Sequence, residues 1–212
     1  MMRRPSLVLT PLLLLLSLSR CAHAGRRRRA LIVVDMSIGQ WAQITYRANS
    51  TLATIAKLMG NASAPFDLIV DSHLALPCDQ PVQSTICEVK WPKSGSAETL
   101  LPELRSPLVT FIAKNSYSSF VDSTLDATLR AAKVDTVYIV GINTNYCIFA
   151  STLDAWQKAY QVRVVLDGVT SVDGAPGHAA GLSMLRSFFV DYSSTKRVQL
   201  VNSADIPSVE AD

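Results

Sequence analysis

Six short runs of apolar, mostly β-branched residues punctuate this chain. They are "ALIVVD" (30–35), "DLIVD" (67–71), "LVTFIA" (108–113), "TVYIVGI" (136–142), "VRVVLD" (162–167) and "RVQLV" (197–201). Most lack a clean in–out alternation, which suits strands buried on both faces of a parallel sheet. Helical patterns lie between most of them. Leu52, Ile55 and Met59 share one helical face behind a cap at Asn49 or Ser50. Leu125, Leu129 and Ala132 form another after a cap at Asp122, and Leu182, Leu185 and Phe189 form a late stripe. Tyr146, Phe149, Leu153, Trp156 and Tyr160 recur at 3-4-3-4 spacing, as one face of an amphipathic helix does. The alternation predicts a doubly wound α/β domain: three α/β/α layers around a mostly parallel, six-stranded sheet.

Two stretches break the pattern. The segment 72–107 carries Pro77, Pro81, Pro92 and Pro102 with two cysteines, and suggests only a short helix at 97–104. A long irregular stretch of this kind reads as a binding loop or lid. The first 24 residues read as a targeting segment. Arg3 and Arg4 precede the apolar "LVLTPLLLLLSL" and the small-x-small site Ala22-His23-Ala24, the order of a cleaved secretory signal. The apolar run is too short to span a bilayer, which takes roughly 20 residues; a signal anchor is the alternative. The division is therefore a signal over 1–24, a basic tail over 25–29 and one domain over 30–212. It places the mature chain outside the cell or in an endomembrane lumen, with no membrane segment after cleavage.

That division corrects the charge. The whole chain has a formal net charge of +3, but seven of its 20 basic residues and none of its 17 acidic ones precede residue 30. The domain itself is mildly acidic and offers no basic face for nucleic acid. The mature cysteines are Cys78, Cys87 and Cys147. Cys78 and Cys87 share one loop and could pair, leaving Cys147 as the odd thiol in an oxidising compartment. Asn49 and Asn61 stand in N-glycosylation sequons.

In an open parallel sheet, ligands gather beyond the carboxyl ends of the strands. Taken strand by strand, the residues at those ends are Asp35, then Asp71 and His73, then Lys114, then Cys147, then Asp167. Cys147 comes after "GINTN" and lies off the Tyr146/Phe149/Leu153/Trp156 stripe by one residue, about 100° of helix. A helix N-terminus favours a thiolate, and its free N–H groups can hold an oxyanion. The competing reading is a small buried hydrophobe. For Lys114 and Asp35 taken singly, a loop lysine and a turn-forming aspartate are the plainer readings. An acid, a lysine and a cysteine at one sheet edge instead make a thiol-nucleophile site. "D-S-H" at 71–73 could supply two metal ligands without a clear third.

The same segments resemble the isochorismatase-like cysteine hydrolases, whose members include nicotinamidases, carbamoylsarcosine amidases and ureidoacrylate hydrolases. "ALIVVDMSIGQ" is similar to the family's first strand with its catalytic aspartate. "FIAKNSYSSF" is similar to its lysine segment, and "VYIVGINTNYCIFASTLDAWQKAYQVRVVLDGVTS" to its nucleophile segment. "GHAAGLSML" is similar to its last helix. The resemblance covers roughly 30–200. It implies Asp35 as general base, Lys114 as the cation that stabilises the thiolate and Cys147 as nucleophile. The backbone N–H groups of Asn143 and Cys147 would form the oxyanion hole, with a cis peptide at Ile142–Asn143 and a pocket beside Phe120 and Ile142. Retention of the cysteine points to C–N hydrolysis of a small amide or ureide. A catalytically silent binding protein on the same scaffold is the alternative, and a redox role for Cys147 ranks last. Nicotinamidases hold a divalent metal such as zinc through a D-x-H pair and a histidine in W-P-x-H. Here Asp71 and His73 stand, but "WPKSG" has Ser94 at the third position, so no cofactor is firmly predicted. The expected partner is a small amide substrate, and a homo-oligomer is compatible with the resemblance.

Overall fold

A computed structural model describes residues 27–60, 65–73, 99–114, 116–191 and 196–206. The segment read as a signal, Cys78, Cys87, Ser94 and the Asn61 sequon lie outside the described residues. Asn49 lies within them, exposed in the first turn of a helix.

The six apolar runs all become strands: β1 Arg29–Val34, β2 Leu68–Ser72, β3 Val109–Phe111, β4 Thr136–Ile142, β5 Gln161–Thr170 and β6 Val198–Val201. They form one sheet in the order β3-β2-β1-β4-β5-β6, with every pairing parallel. All residues of β1 and β4 are buried, which is why neither strand alternates in sequence. β1 begins at Arg29, so the last arginine of the basic run opens the central strand. β5 runs three residues past Asp167, with a register irregularity opposite Ile139 and Gly141. Asp167 therefore lies within the strand, where its carboxylate accepts hydrogen bonds from the Ser203 backbone N–H at 2.8 Å and from the Ser203 hydroxyl.

The helices are α1 Ile38–Trp41, α2 Ala48–Gly60, α3 Leu125–Ala131, α4 Phe149–Gln157 and α5 Gly174–Leu185. Each face of the sheet carries its own core. One cluster gathers Leu125, Leu129, Ile148, Ala155, Leu185 and Phe189 against Ile32, Val34 and Ile139. The other gathers Ile55, Leu58, Met59, Leu101 and Leu104 against Leu31, Val33 and Tyr138. Each such buried side chain is worth about 1.5–3 kcal/mol relative to exposure. The result is three layers: α2 with the segment around 100–104 on one face, and α3, α4 and α5 on the other.

Three local expectations are corrected. The cap of α3 is Thr124, because Asp122 sits at φ 49° in the preceding turn. Of the helix expected at 97–104, the described part from 99 holds a single 3-10 turn, Pro102–Leu104, while Leu100 bridges Ser37 as an isolated antiparallel pair. The bulky stripe from Tyr146 is not the face that α4 buries. Cys147, Ile148, Ser151, Thr152 and Ala155 are buried, whereas Tyr146 is exposed. Small residues let this helix lie close to the sheet, and Phe149, Leu153 and Trp156 pack around its flank. Among the described residues no helix is long and apolar enough to cross a membrane.

Candidate active site

The strand order reverses direction between β1 and β4, and ligands of open α/β sheets bind at such switch points. Asp35 follows β1 directly. Its φ of 56° is left-handed, a region that Asp and Asn tolerate better than other non-glycine residues. The turn is closed by the Asp35 N–H donating to Ser72 O at 3.0 Å. Lys114 follows β3, and its own N–H donates to His73 O at 3.1 Å. Its side chain is fully buried, as is that of Asp35, and its Nζ lies 2.7 Å from Asp35 Oδ2. Nζ also donates to Ser116 O at 3.1 Å and Tyr117 O at 3.0 Å. Two backbone carbonyls and the opposing carboxylate together make this buried lysine tolerable. Neither Asp35 oxygen meets a donor in strict hydrogen-bond geometry among the described residues, so the Asp35–Lys114 contact is an ion pair.

The thiol is Cys147. It is buried, and the charges of Asp35 and Lys114 both act on it. Burial pushes its pKa up to about 12, with the Asp35 carboxylate adding to the rise and the Lys114 ammonium opposing it. Burial and the Asp35 carboxylate thus work against the thiolate that a helix N-terminus favours. For Lys114, burial pulls the pKa down, but the charges of Asp35 and Cys147 outweigh it, and the net shift is upward.

The turn that carries Cys147 is built from several directions. The peptide Ile142–Asn143 is cis. Gly141 has φ 113°, and a Cβ there would stand 2.1 Å from Val34 O, so only glycine lets β4 pass β1 at this point. Residues Thr144–Ile148 form one π-helical turn, in which Asn143 O accepts from the N–H groups of Tyr146 at 3.0 Å and Ile148 at 3.1 Å. Asn143 Oδ1 accepts from Val172 N–H at 2.8 Å. Ser171 Oγ donates to Asn145 Oδ1 at 2.7 Å, and Asn145 Nδ2 donates to Asp173 Oδ2 at 2.8 Å. Thr144 Oγ1 donates to Thr170 O at 3.0 Å. Its one proton is then spent, so at 2.9 Å from His178 Nδ1 it accepts. His178 Nε2 is left to face the Arg47 guanidinium at 3.4 Å, and burial together with that charge lowers its pKa. From the other side, α5 presses Gly181 against the turn: a Cβ there would stand 2.6 Å from Asn145 N.

The remaining candidates are more scattered. Phe120 is buried in the same cluster as Cys147 and packs on Tyr160 with ring centroids 5.9 Å apart. Ile142 belongs to the cluster on the opposite face of the sheet. Asp71 and His73 are both buried, and His73 Nδ1 lies 2.8 Å from Asp71 Oδ1. The pair is turned toward itself, and no group of three metal-ligating side chains exists among the described residues. Asp71 and His73 are two of the four ligands that zinc takes. Sequence reasoning missed Tyr117. It holds Lys114 through its carbonyl, and burial raises the pKa of its hydroxyl. Its ring stands 6.1 Å from that of Tyr146. The one available signal was an aromatic three residues after the lysine.

Comparison with known proteins agrees with this architecture. The sequence profile of the isochorismatase domain matches residues 29–197. A ureidoacrylate amidohydrolase RutB of Variovorax paradoxus is 32% identical over 98 residues, which are 46% of this chain and 39% of that protein. A nicotinamidase of Escherichia coli is 36% identical over 72 residues, 31% of this chain and 34% of the relative. The matched stretches thus span little more than a third of these curated relatives. Among solved structures, the N-carbamoylsarcosine amidase of Thermoplasma acidophilum superposes with a TM-score of 0.67 at 22% identity, covering 84% of this chain and 98% of its own. An isochorismatase-like hydrolase of Alkaliphilus metalliredigens gives 0.65 at 21%, covering 84% and 95%. At these identities the structural matches carry the fold.

Proposed function

The chain belongs to the isochorismatase family, and from that premise we propose that it is a cysteine hydrolase cleaving the C–N bond of a small amide or ureide. The observation that carries this reading is the buried Asp35–Lys114 pair, 2.7 Å apart, with the Cys147 thiol against both. An ion pair with a purely structural role would not need a third, nucleophilic member at its centre. The relatives named as amidohydrolases and nicotinamidases support the bond type.

The geometry supports a sequence of steps. The resting thiol is neutral, so it needs a base, and Asp35 takes its proton as the sulfur attacks the carbonyl carbon. The ammonium of Lys114 faces both products of that transfer and stabilises the thiolate as it forms. The negative charge moves to the carbonyl oxygen, to which the N–H groups of Asn143 and Cys147 donate hydrogen bonds. Protonated Asp35 returns its proton to the leaving nitrogen, and ammonia or an amine departs. Asp35 then takes a proton from water as the water oxygen attacks the Cys147 thioester; the C–S bond breaks, the acid leaves and Asp35 returns the proton to the sulfur. Tyr117, whose ring lies 6.1 Å from that of the exposed Tyr146, offers the substrate a flat apolar wall.

The test is ammonia release over a panel of nicotinamide, carbamoyl amino acids and ureides, with wild type and Cys147→Ala. Loss of at least ~10³-fold in the variant is expected, the scale seen when a nucleophile is removed. Equal rates would remove Cys147 from the reaction and favour a silent binding protein on the same scaffold. We also assign the mature protein to the secretory pathway, on the order of charges and apolar residues in 1–24. Expressed in a secreting host, it should begin at Gly25 by N-terminal sequencing, and an intact signal in the exported protein would sink that assignment.

A further inference from the structure

His178 takes no part in the proposed acyl transfer, yet it is tied to the turn that carries Cys147. It stands in the first half of α5 and is buried. One turn further along the same helix face, Gly181 packs on the backbone of Thr144 and Asn145. His178 reaches that turn with its side chain, placing Nδ1 2.9 Å from Thr144 Oγ1. Thr144 Oγ1 donates in turn to Thr170 O at 3.0 Å, at the end of β5. The Thr170 hydroxyl donates to Tyr46 O at 2.6 Å. The Tyr46 ring lies 5.6 Å from the His178 ring, and Arg47 Nη1 stands 3.4 Å from His178 Nε2. The contacts thus close a loop through the residues just before α2, the end of β5, the π-helical turn and α5.

These partners fix the protons of the ring. A hydroxyl has one proton, and Thr144 spends it on a carbonyl, which can only accept. Nδ1 must therefore donate to Thr144. A guanidinium can only donate, so Nε2 must accept from Arg47. The neutral Nδ1–H tautomer alone satisfies both. Burial and the Arg47 charge both oppose a second ring proton. With each nitrogen engaged, neither is left to act on the thiol, and any effect of His178 on the reaction passes through Thr144. That residue opens the π-helical turn, with Cys147 three residues on. As a donor it is held by β5 and as an acceptor by α5, so the start of the turn is fixed between a strand and a helix.

We propose that His178 is a positioning residue: as the Nδ1–H tautomer engaged by Arg47, it fixes Thr144 and, through it, the turn that presents Cys147. Its effect on turnover rests on the amidase reading; the tautomer does not. The test pairs two amide replacements. The amide of asparagine falls where Nδ1 stands and that of glutamine where Nε2 stands, so His178→Asn keeps a donor for Thr144 and His178→Gln keeps only the partner of Arg47. Displacing a nucleophile costs the transition state rather than ground-state binding, so kcat should stay within about threefold of wild type in His178→Asn and fall about tenfold or more in His178→Gln, with KM within about twofold in both. A histidine that only fills space would lose turnover in step with melting temperature, whichever amide replaced it. Equal kcat in the two variants, or a higher kcat in His178→Gln, would overturn the proposal. Nitrogen-15 NMR of the wild type keeps the test readable should either variant unfold. At neutral pH His178 should show a protonated Nδ1 and a bare Nε2, and any other protonation state overturns the assignment. Cys147→Ala, run alongside, separates the two readings. If it releases ammonia as fast as wild type, the amidase reading fails, and alkylation of Cys147 by iodoacetamide at pH 8, followed by peptide mapping, decides the positioning role instead. The rate should then rise at least about threefold in His178→Gln, as the turn loosens around a buried thiol, and hold at the wild-type value in His178→Asn; equal rates in all three overturn it.

Discussion

Asp35 and Cys147 are locked in opposition at rest, and that makes the pair testable one residue at a time. The Asp35 carboxylate raises the thiol pKa while the Lys114 ammonium lowers it. Asn fits the left-handed backbone at position 35 and removes only the charge. Asp35→Asn should therefore make the thiol more acidic and faster to react with iodoacetamide at pH 8. The same change removes the base and should cut amide turnover by about 10²–10⁴. A merely structural aspartate would move both rates together, so parallel loss of alkylation and turnover contradicts the assignment. The thiol also ties stability to pH. Its pKa is raised from 9.0 to about 12 in the folded chain, so the folded state keeps a proton that the unfolded state loses. That contribution is complete below pH 9 and is lost as pH climbs toward 12. Wild type should lose up to about 1.4 kcal/mol more per pH unit across this window than Cys147→Ala does. Urea unfolding at pH 8 to 11 measures it, and identical slopes would refute a buried neutral thiol. Lys114, raised as well, adds a loss in the same direction at the top of the range.

At the scale of elements, the π-helical turn Thr144–Ile148 carries the proposed nucleophile, and α5 braces that turn. In a free helix Gly181→Ala would be stabilising by about 1 kcal/mol. Here the added methyl meets the backbone of Thr144 and Asn145 at 2.6–2.7 Å. Those atoms are not a flexible side-chain end, so the turn must shift. Turnover should fall at least about tenfold, since small displacements of a reacting group are costly, while circular dichroism stays unchanged. Unaltered kcat would show that the turn is set elsewhere. The strands and the edge where the chemistry gathers were legible in the chain, because runs such as "TVYIVGI" bury both faces and end in polar residues. The buried face of α4 was not legible. Its inward face is Cys147, Ile148, Ser151, Thr152 and Ala155, of which only Ile148 is a large aliphatic residue, while the conspicuous aromatics pack at its side. The raised thiol pKa was equally invisible, since it depends on how deeply residues 35, 114 and 147 are desolvated together.

For the whole molecule, the site joins elements of very different security. β1 and β4 are fully buried at the centre, whereas β3 is three residues long, exposed in part and at the sheet edge. Lys114 hangs from that edge by two backbone bonds, Ile112 N–H to Asp71 O at 2.8 Å and Lys114 N–H to His73 O at 3.1 Å. Native-state hydrogen exchange should show β1 and β4 opening only with global unfolding and β3 opening first. Slowest exchange in β3 would contradict this ranking.

The strand order also sets a schedule for synthesis. β1 finds β2 soon after it is made, but its other neighbour is β4, and residues 35–135 lie between them. At the usual pace of a ribosome that interval is roughly 5–20 s. For all of it, a strand destined for burial along its whole length presents an open edge to whatever else is near. The nascent protein should be a client of chaperones until residue 142 has emerged, and a pause in translation before that point should cost soluble yield more than one placed after it.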